Sequence, residues 1–160
     1  MGYRSDVAYV VKFYHNDQPE KAFADYIAFQ DWVKNKHAIT HEQETNRMFS
    51  NPPITRTHTY ANEDRYIKWS GSALLMLFEV EGIKWYDSYA DVKWHQEILK
   101  KANEYYTGNY RFVRIGEDYN DVEVDEEAKT YFEMWEILDV RRSAYLNVSY
   151  DCFDEEKDDE

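Results

Sequence analysis

The sequence predicts an α+β fold: a mainly antiparallel sheet with two helices on one face. Three observations carry this. Short runs of alternating apolar residues recur along the chain, two stretches switch to helical spacing, and the order reads β-α-β-β-α-β. A ferredoxin-like arrangement with an added C-terminal strand is the simplest case.

The first strand is "DVAYVVKFY" (6–14), where Val7, Tyr9, Val11 and Phe13 fall on one face. "NDQPEKAFADYIAFQDWVKNK" (16–36) then reads as a helix. Asp17 is placed to cap it, Glu20 to complete a capping box, and Pro19 suits the first turn. Its apolar stripe runs through Phe23, Tyr26, Ile27, Gln30 and Val33, flanked by Phe29 and Trp32. Residues 37–63 break the pattern with Pro52-Pro53, three histidines and little periodicity, so a long connection is expected there, with room for a short helix around 40–49.

"RYIKWSG" (65–71) and "ALLMLFEVEGIKWY" (73–86) read as two strands turning at Ser70-Gly71-Ser72. A second helix is predicted over 87–108: Ser88 and Asp91 resemble a capping box, and Val92, His95, Leu99 and Ala102 recur at helical spacing. Gly108 suits a left-handed helix stop. "NYRFVRIG" (109–116) is a further strand, and "TYFEMWEILDV" (130–140) is read as the added one, since Phe132, Met134 and Leu138 alternate. At the corner, strict alternation places Trp85 with Glu79, Glu81 and Ile83 on the solvent face. Tyr86 then joins Met76, Phe78 and Val80 in the core. A bulge at Gly82 would exchange the two.

The 160 residues fit one domain, read as 1–150, followed by an acidic tail (151–160) expected to be disordered. Apolar residues at 43% and aromatics at 18% exclude a disordered chain. Fifteen tyrosines are too many to bury, and surface Tyr favours protein interfaces. A lone cysteine, Cys152, excludes an internal disulfide. No signal-like or membrane-spanning apolar run occurs, so the reading is cytoplasmic with no membrane partner.

Charge is concentrated. Residues 117–127 hold seven acids and no base, and 151–160 hold seven acids with Lys157, together the entire net charge of −13. The remainder balances. Direct nucleic-acid binding needs clustered Lys and Arg, so it is disfavoured. Acid runs are most often solvated loops or tails; the sharper reading is a decoy for a basic surface on another protein.

Three stretches also have a joint precedent. "MGYRSDVAYVV", "IKWYDSYADV" and "YRFVRIGEDYND" together resemble a family of small bacteriophage proteins that open with Met-Gly-Tyr-Arg-Ser-Asp/Glu-Val. Those proteins also carry a Lys-Trp-Tyr-x-x-Tyr-x-x-Val corner and an Arg-Ile-Gly-Glu strand end before an acidic stretch. The match covers 1–14 and 82–121 and elsewhere only element order, and 37–63 exceeds the usual connection. The resemblance implies a phage-encoded accessory protein in the host cytoplasm. It brings no catalytic residues.

No catalytic signature occurs: neither Gly-x-Ser-x-Gly, nor Gly-x-Gly-x-x-Gly, nor a P-loop, and Cys152 beside an acidic tail is a blunted thiol. His37 and His41 have ligand spacing, but zinc needs a third ligand and only His58 is close in sequence. No cofactor or metal is expected. The first expectation is therefore an inhibitor of a host defence or regulatory protein with a basic surface. Its partner-binding residues would be Trp85, Tyr89, Glu117, Asp118, Asp121, Glu123 and Asp125, and a homodimer is left open. The alternative is a pocket for a small anionic ligand, a nucleotide signal, using Arg4 and Arg114 as donors at strand ends. The plainer reading of those arginines is an ion-pair cluster that fixes the strand ends.

Overall fold

The computed structural model describes residues 2–47 and 66–140, with side chains through Asn35 in the first stretch and throughout the second. The elements are β1 (Ser5–Phe13), α1 (Pro19–Arg47), β2 (Ile67–Ser70), β3 (Leu75–Ile83), α2 (Ala90–Glu104), β4 (Gly108–Gly116) and β5 (Val122–Glu127), followed by a 3-10 turn at Met134–Glu136. The five strands form one sheet in the order β2-β3-β1-β4-β5, with every pairing antiparallel. The fold is α+β, as the alternation predicts. The order of β1 through β4 is compatible with a ferredoxin-like arrangement, and β5 extends it at one edge.

Alternation on β1 explains why the core lies where it does. Val7, Tyr9, Val11 and Phe13 are buried together with Met76, Phe78 and Val80 of β3 and Tyr110 and Phe112 of β4. Both helices close over this face, α1 through Ala22, Tyr26, Phe29 and Val33, α2 through Trp94, Ile98, Leu99 and Ala102. The α1 stripe is thus turned from the predicted one, since Phe23 and Ile27 are exposed and Ala22 and Phe29 are buried. At the centre, Tyr9 Oη lies 2.8 Å from His95 Nδ1, both side chains fully enclosed. Burial pushes the Tyr9 hydroxyl well above its ordinary range.

Several local expectations are corrected. α1 continues through 37–47, which contain no Gly or Pro and several straight-chain residues that favour helix. His37 and His41 therefore lie on α1, their side chains outside the described residues; His58, Pro52-Pro53, Cys152 and the tail 151–160 also lie outside. His15, not Asp17, serves the N-terminus of α1: its Nδ1 accepts the backbone N–H groups of Asp17 and Gln18. α2 begins at Ala90 after Tyr89, without a side-chain cap from Ser88. Gly108 is not a left-handed stop; it opens β4, where a Cβ would collide with the Ala102 carbonyl oxygen.

The added strand is β5, not 130–140. Residues 122–125 alternate valine with carboxylate before Glu126 and Glu127, and pairing with β4 sets Glu123 across from Arg114 and Glu126 across from Arg111. Those arginines offset the poor strand preference of acidic residues. With β1 on one side and β5 on the other, β4 has no edge left for 130–140. That segment instead crosses the sheet face opposite the helices: Met134 is fully buried, and Arg111 Nε donates to the Leu138 carbonyl at 2.8 Å. Val10 and Val113, outward from the helix-side core by alternation, are buried too.

Candidate functional site: an acidic cleft at the sheet end

Gly82 decides the corner. Its φ is +64°, a conformation that favours glycine, and the β1–β3 register shifts between Ser5 and Val7. Asp6 Oδ1 accepts the Gly82 N–H and Arg4 Nη1 donates to the Gly82 carbonyl at 2.7 Å, so the bulge is held from β1 and the residue before it. The bulge exchanges the faces beyond it. Trp85 turns to the core side, with its ring centroid 5.6 Å from His95, 6.1 Å from Phe112 and 6.3 Å from Phe78. The unbulged register, with Trp85 exposed and Tyr86 in the core, is overturned. Tyr86 sits half-buried against Tyr89, edge to face at 5.1 Å.

Turning Trp85 inward makes it one wall of a cleft of about 430 Å³. Tyr3, Tyr86, Leu99 and Phe112 supply further walls, and Asp87, Gln96, Arg114, Asp121, Glu123 and Asp125 bring polar groups. The β4–β5 hairpin delivers most of these. By alternation, residues 123 and 125 of β5 share the helix-side face with Phe112 and Arg114 of β4. At Gly116 the absent side chain leaves room for the Asp121 carboxylate and the Tyr3 hydroxyl, which a Cβ there would displace.

Arg114 is bound on most of its fork. Its Nη1 and Nη2 reach the two Asp121 oxygens at 3.0 and 2.7 Å, Nε donates to Glu123 at 3.1 Å, and Nη1 also donates to Ser5 Oγ at 3.2 Å. The bidentate bond to Asp121 and the bond to Glu123 outweigh burial and raise its pKa above an already high value. Tyr3 Oη donates to Asp121 at 2.6 Å, and that bond raises the Tyr3 pKa. Tyr110 Oη donates to Asp125 at 3.0 Å; burial first, then this bond, raises its pKa. Gln96 Nε2 donates to Asp87 at 3.0 Å. Four carboxylates thus face the cleft around one guanidinium that two of them already hold.

The structure brings Trp85, Arg114, Asp121, Glu123 and Asp125 together, although they were singled out for two different functions. Arg4, Tyr89, Glu117 and Asp118 stand outside the cleft. Arg4 and Glu117 join through backbone, with the Arg4 N–H donating to Glu117 Oε1 at 2.8 Å. The Asp118 N–H donates to Tyr3 Oη at 3.0 Å. These contacts are hydrogen bonds from backbone N–H groups that tie the strand ends together, while the ion pairs at this end run from Arg114 to Asp121 and Glu123. Tyr3, Tyr86, Asp87, Gln96 and Phe112 were missed, since their convergence depends on strand order and on the bulge at Gly82. Tyr119 was missed too, an aromatic 77% exposed at the hairpin tip amid the acids. Among the described residues, no group of three or more His, Cys, Asp or Glu is placed to hold a metal ion. None of their helices is long and apolar enough to cross a membrane.

No known protein family, no curated protein and no solved structure matches the chain.

Proposed function

We propose that this is a phage-encoded accessory protein, without enzymatic activity, that acts in the host cytoplasm. There it binds and inhibits a host defence or regulatory protein through the acidic face formed by the cleft and β5. The observation that carries this reading is the charge of the cleft. Asp87, Asp121, Glu123 and Asp125 line it, Arg114 is the one base lining it among the described residues, and Asp121 and Glu123 engage that base. Such a face offers acceptors to a cationic partner. Aromatic walls beside carboxylates suit a Lys or Arg side chain, through cation–π attraction and charge together. An anionic small ligand is supported less, because the Arg114 donors are engaged and Arg4 lies outside the cleft. The phage assignment rests on the three sequence motifs at 1–11, 83–92 and 110–121.

A pull-down from host lysate tests this, with tagged protein washed at low and then moderate salt. One basic host protein should be retained at low salt and released as salt rises, because exposed charges are screened beyond about 10 Å at 0.1 M. An eluate without a partner at either salt contradicts the proposal. A thermal-shift panel of nucleotide second messengers separates the alternative: a ligand that binds the native state raises the melting temperature by mass action. No shift is expected.

A further inference from the structure

β5 is the edge of the sheet, bonded to β4 on one side and open on the other among the described residues. The Gly116 N–H donates to the Asp121 carbonyl at 2.8 Å, in the same register as the β4–β5 pairs. That bond fixes the alternation of the ladder. Glu123, Asp125 and Glu127 exchange backbone bonds with β4, so Val124 and Glu126 turn their N–H and C=O groups to the open edge. The side chains alternate as well. Glu123, Asp125 and Glu127 stand on the helix side with the cleft, whereas Val122 and Val124, 39% and 45% exposed, stand on the opposite face.

We infer that this edge accepts a host segment as a sixth strand, and that the segment alternates basic with apolar residues. The inference rests on the proposed binding of a basic partner and names how that partner is read. Main-chain bonds to Val124 and Glu126 hold the added strand, as in recognition by strand addition. Its Lys or Arg side chains, on the helix side, lie beside Glu123, Asp125 and Glu127 and lead toward the cleft. Its apolar side chains, on the other face, extend the row of Val113 and Val124. A second copy of this chain is a poor occupant. Four of the six β5 residues are acidic, so pairing two such edges sets like charges opposite one another.

The test uses three synthetic octapeptides on the full chain: alternating Lys-Val, a block Lys-Val peptide of equal composition, and the alternating peptide N-methylated along one edge. Affinity is measured by titration at low salt, and amide hydrogen exchange is followed at Val124 and Glu126. The alternating peptide should bind at least about tenfold tighter than the block peptide, which corresponds to roughly 1.4 kcal/mol. It should also slow exchange at both amides, and N-methylation of its bonding edge should abolish that protection. Equal binding by all three with both amides unprotected overturns strand addition while leaving the acidic face as a binding surface. Failure of every peptide to bind at low salt overturns both.

Discussion

Asn109 shows how much of this fold can hang on one side chain. It is fully buried at the second position of β4, and its amide has six partners within hydrogen-bond distance, which share its two N–H donors and its one oxygen. Oδ1 accepts the backbone N–H groups of Lys129, Thr130 and Tyr131, and Nδ2 donates to the Lys12 and Thr107 carbonyls and to Thr130 Oγ1. That amide substitutes for the strand partner that 130–140 lacks, and so anchors the segment crossing the outer face. Asn109→Ala strands several buried donors and acceptors, each worth about 1–3 kcal/mol when unsatisfied. It should therefore cost at least about 3 kcal/mol of stability, measured by denaturant melts, and speed amide exchange at Lys129, Thr130 and Tyr131. Little of this was visible beforehand. Gly108 reads only as a helix stop and Asn109 only as the first residue of a strand, because nothing local reports which distant backbone an amide will serve.

Among the elements, the β3–α2 corner and β5 depart furthest from simple alternation, and for opposite reasons. At the corner the signal was present but ambiguous. Gly82 marked a place where the faces could exchange, and alternation carried through it gives the wrong side for Trp85. With the bulge, Trp85→Ala removes a ring packed on Phe78, His95 and Phe112, and should cost about 2–3 kcal/mol, short of a fully buried aromatic. Tyr86→Ala removes a half-buried ring that mainly meets Tyr89, and should cost under about 1.5 kcal/mol. Melts in which Tyr86→Ala is the more damaging change would restore the unbulged register. In β5 the reverse holds: composition concealed the strand. Seven acids in eleven residues resemble a solvated loop, yet Val122 and Val124 keep period two, and Arg111 and Arg114 wait across the ladder. The central strands and α2 were legible because burial on one face imposes its period on the sequence. An edge strand buries little, so its period is weakly written.

For the whole molecule, charge placement links fold to proposed function. The chain outside 117–127 and 151–160 is balanced, with 18 acids and 18 bases, so the field that steers a partner comes from two short stretches. The first is built into the sheet, where β5 fixes its carboxylates beside an aromatic cleft. Charges held in place this way lose little entropy on engagement. Sequence alone located this acidic stretch and several of the cleft residues. It did not show that Trp85, Phe112 and Asp125 converge, since that depends on strand order and on one bulge. The central claim is that the β5 face, rather than acidity in general, binds the host partner. The most direct measurement compares lysate capture across three chains at two salt concentrations: the native sequence, Asp125→Asn with Glu127→Gln, and a deletion of 151–160. Neither substituted acid is ion-paired among the described residues, so the fold should persist, as a melt would verify. The account predicts that the double substitution lowers capture several-fold and flattens its salt dependence, while the deletion changes neither. Undiminished capture by the double variant, or its loss on deletion of the tail alone, would contradict it.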